Sequence, residues 1–403
     1  MGRFVVIISR WRHKLILFVF LAVICVDCID PYYYDIDGLE PMMVVDALIT
    51  DEDAPNYVKL SWAPPLSGWL DKVHGATVVI SDDSGNSVTL EEKLWGEYWT
   101  DPTTFRGEVG ESYTLSITTF DGDKYQSTPC LMYPVEEIDS LYYSYCESVP
   151  EGYLDYYKGV RVYAEAPSES VSGFRRWGYD EWWKFRVPYP SIVQYTGNNT
   201  VIDIEPKNEV CWRHVASSDI LTYAEISTDN NMLNYPITFL PSELSNRFQF
   251  QYYIEVKQLS ISREEYEFWN AMKILSETGG DIFDRQPYSI VGNVKNLNNP
   301  SKNALGYFQV SSVSRKHIYI TKEDIADLGL LPFEYECDLF YASPSNFFDL
   351  PTTVDYMYYW GVNHGYTLYS YTGRGMAFVL PFCADCTVSG QLDAPDFWVE
   401  LAN

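Results

Sequence analysis

Cys383-Ala-Asp-Cys386, close to the end of the chain, is the spacing with the widest chemical reach. A CxxC pair can form half of a zinc site, cycle between thiol and disulfide, or cross-link the fold. A zinc site needs a second close ligand pair, and beyond Cys28 the sequence holds no other CxxC and no HxxxH. Redox pairs of this shape open a helix, whereas this one sits in a tail punctuated by glycine and proline. Cross-linking is the preferred reading. Beyond the N-terminal segment stand Cys130, Cys146, Cys211, Cys337, Cys383 and Cys386, an even set that favours disulfides outside the cytoplasm and allows fifteen pairings. A chain terminus must be fastened to stay ordered. At least one of Cys383 and Cys386 is therefore expected to reach a distant strand, with Cys211 or Cys337 as partner. Phe397 and Trp398 would then pack against the second domain. A local Cys383–Cys386 bridge and bound zinc are the competing outcomes.

Other chemistry has no recognisable motif. There is no G-x-S-x-G elbow, H-E-x-x-H pair, P-loop or G-x-G-x-x-G turn. His74, His214, His317 and His364 are far apart in the sequence and belong to no ligand or triad pattern. Carboxylate pairs such as Glu264/Glu265 and Glu91/Glu92 are expected on solvated faces. Among the 56 acidic residues nothing nominates a glycosidase-type dyad. No catalytic residue, cofactor or metal site is assigned, and the expectation is a protein that is not an enzyme.

The N-terminus reads as an address. Arg3, Arg10, Arg12 and Lys14 form a basic front end, and Leu15 to Val26 is an apolar run too short to span a membrane comfortably. Cys25 and Cys28 at its end suggest a lipoprotein signal in which one thiol carries the anchor. Residues 1–27 are expected to be a signal peptide and 28–41 an acidic tether. The whole chain is acidic: 28 basic against 56 acidic residues give a net charge of −28. Repulsion from phosphates argues against nucleic acid as a partner. The 34 Tyr, 20 Phe and 12 Trp serve β-packing first and recognition surfaces second.

The elements that would position these residues are mainly strands. From Met42, short alternating runs such as YVKLSW, ATVVIS and YTLSITTF are separated by Gly/Asp/Asn turns. They predict an immunoglobulin- or fibronectin-like β-sandwich over residues 42–134. A larger β-rich domain, 135–403, follows. Within it FRRWGYDEWWKFRV places Trp177, Tyr179, Trp183, Phe185 and Val187 on one face, broken only by Glu181. Arg176, Asp180, Lys184 and Arg186 lie with Trp182 on the other face, which suits water or a polar partner. One α-helix is well signalled, at about 263–277. Ser262 and Glu265 form a capping box, and Gly279-Gly280 stops the helix. Phe268, Trp269, Met272 and Leu275 recur at helical spacing, so Trp269 is expected in the core. Residues from Pro344 to Arg374 have weak periodicity and stay unassigned.

VKQLSISREEYEFWNAMK, GGDIFDRQPYSIVGNVKN, NALGYFQVSSVSRK and the closing CADC…APDFW resemble the domain-of-unknown-function family 4249. CIDP, ALITD…YVKLSW, ATVVISDDSGN, FRGEVGESYTLSITTFDGDKY and IDSLYY, in the same order, extend the resemblance over nearly all of Cys28 to Trp398. The resemblance implies an exported lipoprotein of a Bacteroidota-type outer membrane, often encoded beside a TonB-dependent transporter, with Cys28 as the lipidated residue and Cys25 as the alternative. It supplies no catalytic residues to carry over. Cys130 and Cys146 fall where the family has no fixed cysteines and would form a local pair. The expected function is that of a non-enzymatic surface lipoprotein that assists a TonB-dependent transporter at the outer membrane. An envelope structural or adhesive role, or a polymer-degrading enzyme, are the alternatives.

Overall fold

A computed structural model describes residues 41–63, 70–225, 232–278, 290, 292–300, 302–343, 353–372 and 375–401. The signal peptide, nearly all of the tether, Cys25, Cys28 and the Gly279-Gly280 stop lie outside these residues. The described chain is mainly β.

Alternation builds a sandwich from two sheets. Met42–Thr50 and Tyr57–Ala63 pair antiparallel and send Val45, Ala47, Ile49, Val58 and Leu60 inward. Opposite them, Thr77–Asp82 and Ser112–Thr118 supply Val78, Ile80, Leu115 and Ile117. The first 134 residues do not close this sandwich by themselves. Leu305–Ser311 lies parallel beside Met42–Thr50, and Val294–Asn296 pairs with Lys124–Ser127. Gly306 permits the parallel contact: its φ is +84°, and a Cβ there would sit 2.1 Å from the Val45 carbonyl oxygen.

A second pair of sheets shares another core. Ser140–Ser148, Tyr157–Pro167 and Met232–Pro241 form three strands. Val210–Ala216, Phe174–Arg186, Gln251–Ser260 and Val313–Thr321 form the larger sheet, with Leu221–Ala224 added beside Phe174–Arg186. The Phe174–Arg186 strand alternates as its sequence predicts, with Trp177, Tyr179, Trp183 and Phe185 in the core. Glu181 shares that buried face. It is neutralised by Arg247, whose guanidinium grips both carboxylate oxygens, and it accepts a 2.8 Å bond from the Tyr252 hydroxyl. Trp183 covers the same guanidinium, 4.7 Å from its ring centroid.

Arg263–Thr278 is the expected helix, and Ser262 Oγ caps it by accepting the Glu265 amide at 3.1 Å. Two expectations about it are corrected. Glu265 does not lie on a solvated face or reach back to the cap; it is buried, and its carboxylate accepts the Trp269 indole N–H at 3.3 Å. Trp269 is half-buried, because the surface it meets is the polar face of the Phe174–Arg186 strand rather than a hydrophobic core. Phe268 is the buried ring, 5.0 Å from Tyr307 on the sandwich.

The described part of the stretch of weak periodicity, residues 353–372, also folds. Helix Val354–Asn363 packs on a three-stranded sheet of Phe340–Ala342, Gly375–Val379 and Thr367–Thr372, around Met357, Leu368, Met376 and Phe378. Among the described residues, no helix is long and apolar enough to cross a membrane.

Candidate functional site

The tail cysteines are both cross-linked, each to a different partner. Cys211 joins Cys386 and Cys337 joins Cys383. Neither the Cys383–Cys386 bridge nor a zinc pair forms, since all four sulfurs are committed. Cys130 and Cys146 are free thiols and not a local pair. Cys130 turns toward Asn293 and the Phe308 carbonyl at the sandwich edge, whereas Cys146 sits on the three-stranded sheet. Burial pushes the Cys130 thiol up to about 12, helped by the charge of Glu265, so it is a poor nucleophile at neutral pH. The disulfides hold the tail where expected: Phe397 packs 4.6 Å from Tyr253, and Trp398 meets Trp212 at 6.2 Å. Lys184 bonds Glu400 at 2.7 Å, and Gln251 holds the Val399 carbonyl at 2.7 Å.

The histidines stay separate. His74 bonds Glu92, His214 bonds Asp180, His317 lies tilted against the Tyr253 ring at 5.3 Å, and His364 bonds the Trp360 carbonyl. Of the carboxylate pairs, Glu91 and Glu264 are exposed, while Glu92 fixes a turn through the amides of Gly75 and Gly96. Among the described residues, no group of three His, Cys, Asp or Glu side chains is placed to hold a metal.

The best-equipped hollow is a cleft of about 370 Å³ where the outer face of the sandwich meets the polar face of the larger sheet. Strand alternation aims Arg176, Gly178 and Asp180 into it from Phe174–Arg186. Lys257 comes from the neighbouring strand, directly opposite Gly178, and Arg315 from the next. The sandwich contributes Leu48, Tyr57 and the turn between its first two strands, including Glu52 and Asn56. Gly178 leaves the floor open, since a Cβ there would meet only Ser217 Oγ, at 3.9 Å. A second hollow, about 310 Å³ among Phe248, Ile325, Leu330, Pro332 and Phe333, is largely apolar, with Lys322 as its one cation.

Charges in the cleft are paired with one exception. Asp180 takes Lys257 at 2.6 Å and His214 at 3.2 Å. Burial works to raise its pKa, but these partners outweigh it and hold the carboxyl below its usual range. Arg315 is gripped by Glu52 and by Glu255, the latter at 2.7 Å. Arg176 has no such partner among the described residues. It donates to the neutral Gln309 amide at 2.7 Å and lies 4.5 Å from the Trp269 ring centroid, while its buried Nε–H has no acceptor. Burial draws its pKa down, opposed by the charge of Glu265 nearby. Glu265 itself is pushed by burial up to about 7, with Arg176 and the Trp269 hydrogen bond pulling the other way. Tyr57, half-buried beside Asp46, rises to about 12 through desolvation and stays a neutral hydroxyl.

A family profile described as "Domain of unknown function (DUF4249)" matches residues 29–317. The chain belongs to this family. The match takes in the strands of the sandwich, the capped helix and every residue named in the cleft. Comparison with curated proteins found no match. Of the cleft of this DUF4249 protein, the sequence pattern pointed only to the polar face carrying Arg176 and Asp180. Tyr57, Lys257 and Arg315 join it through long-range pairing that no local spacing announces.

Proposed function

We propose that this DUF4249 protein is an exported, lipid-anchored and non-enzymatic accessory protein that captures a ligand for a TonB-dependent transporter at the outer membrane, on the cell surface. The observation that carries the reading is the pair of long-range disulfides fastening the tail across the body, an arrangement suited to an oxidising compartment outside the cytoplasm. The basic and apolar N-terminal segment ending at Cys25 and Cys28 supports the address. The net charge of −28 suits a solvated surface facing an external medium. The cleft supplies a place for the ligand, with charged groups converging on an open floor.

The test is fractionation of cells expressing the full-length protein, with Cys28→Ala beside wild type. Wild type should enter the outer-membrane fraction, incorporate labelled fatty acid, be shaved by protease from intact cells and co-purify with a barrel transporter. Cys28→Ala should be released or left uncleaved. Fatty-acid labelling that survives in Cys28→Ala moves the anchor to Cys25; a wild-type protein that stays soluble in the cytoplasm overturns the reading.

A further inference from the structure

We infer that the cleft between the sandwich and the larger sheet binds a small organic acid through its carboxylate, with Arg176 as the anchoring cation. The inference rests on reading the cleft as the ligand site and is independent of the membrane address.

Charge is the first argument. The protein as a whole carries −28, yet the cleft lining sets Arg176, Lys257 and Arg315 against only Glu52 and Asp180. Lys257 and Arg315 are satisfied by those carboxylates and by Glu255, which leaves Arg176 as the one cation of the lining without a bonded carboxylate; Glu265 and Asp46 act on it through their charge alone. A cation kept unpaired in an acidic protein is held at a cost that an arriving anion relieves. The geometry of the site is the second argument. The Arg176 side chain is fixed from two sides, by Gln309 and by the Trp269 ring, and still has a buried Nε–H without an acceptor. A planar guanidinium so held favours a planar carboxylate, which it can take through parallel hydrogen bonds. A doubly charged phosphate would face Asp180 and Glu52 with only one surplus cation to offset it. Space is the third argument, because Gly178 removes a side chain from the floor beside Arg176.

Glu265 makes the site sensitive to pH. From the helix it faces Arg176 and Trp269; on its sandwich side stand Tyr307 and the Cys130 thiol, and Glu264 is its exposed neighbour. Arg176 also feels Asp46 and Tyr57 from the sandwich, and Asp180 beside it is bonded by Lys257 and His214. With Glu265 pushed up to about 7, its neutral form below that pH withdraws its charge from Arg176, and its anion above that pH competes with the ligand. Carboxylate affinity should therefore fall as pH rises through this range.

The two sources of such a carboxylate, a peptide C-terminus and an acidic sugar, are separated by paired probes. Full-length protein in detergent is titrated with N-acetyl-Ala-Ala and its C-terminal amide, and with galacturonate and galactose, followed by calorimetry and Trp fluorescence. One acid should bind about tenfold or more tightly than its neutral counterpart, the scale of a lost charge-assisted hydrogen bond. Arg176→Gln should abolish that preference, and Glu265→Gln should flatten its pH dependence, which isolates the share of Glu265 from that of His214. Gly178→Val places a side chain in the cleft where its Cβ would have only Ser217 Oγ within 4 Å, at 3.9 Å, so it should block binding at an unchanged melting temperature. It decides the matter even if Arg176→Gln does not fold. Failure of both acids to bind folded wild-type protein, equal binding of acid and neutral probes, or wild-type binding by Gly178→Val overturns the inference. Membrane attachment and transporter co-purification would be untouched by that result, so the two failures are distinguishable.

Discussion

Replacing Glu265 by glutamine should stabilise the protein in a pH-dependent way, and the amount follows from the burial of its carboxyl. Glu265 is 2% exposed, and its pKa is raised from 4.5 to about 7. An acid whose pKa is higher in the folded state binds its proton more tightly there. Its favourable contribution is complete below the unfolded value and is lost as pH rises through the folded one. At about 1.36 kcal/mol per pKa unit, the folded state gives up about 3 kcal/mol between pH 4 and pH 8. Glutamine keeps the shape and can still accept the Trp269 indole hydrogen, but it never ionises. Urea denaturation of wild type and Glu265→Gln at both pH values, with disulfides intact, isolates the effect, because all other titrations cancel in the difference. The variant should match wild type near pH 4 and exceed it by about 3 kcal/mol near pH 8. A stability difference that is the same at both pH values would refute the reasoning and place an ionised Glu265 in a stable pair with Arg176.

Two further perturbations test the body and its tail. Arg247→Met strips the buried Glu181 of its cation and should cost roughly 3–5 kcal/mol, with much of that recovered in Arg247→Met/Glu181→Leu, as read by thermal or urea unfolding. The Cys211–Cys386 bond spans 175 residues and the Cys337–Cys383 bond 46. In the chain-entropy model, replacing the first pair by serine should cost about 5 kcal/mol and the second about 4 kcal/mol. Non-reducing peptide mapping of wild type should recover these two linkages and free Cys130 and Cys146.

Features carried by a short period were legible in the sequence. The run from Phe174 to Arg186 alternates so regularly that its core face could be named residue by residue, and even Glu181 could be seen as the exception on that face. The Ser262 cap was legible for the same reason, because cap and amide are three residues apart. Trp269 shows where periodicity stops. Helical spacing says that Phe268 and Trp269 lie toward one side, but not that the layer opposite Trp269 carries Arg176. Glu265 shows it again, since the capping-box pattern cannot reveal that a sandwich strand and a sheet face close over the carboxyl. The sandwich's last strands, at 294–296 and 305–311, were hidden because their partners lie near the beginning of the chain. Nearly every member of the cleft shares that difficulty.

The parallel seating of Leu305–Ser311 against Met42–Thr50 has a bearing on how the molecule comes into being. A ribosome delivers Met42–Thr50 early, and Tyr57–Ala63 soon afterwards satisfies one of its edges. The other edge presents a row of unanswered amides and carbonyls until residues 305–311 emerge. Such an edge invites pairing with any extended segment nearby, including another nascent copy. The interval is lengthened by topology, since a contact so remote in sequence must wait for its loop to close. The first 134 residues, cut out and expressed by themselves, would keep that edge open permanently. Anyone dissecting this protein should therefore retain the chain through Ser311 before judging what its N-terminal part can do.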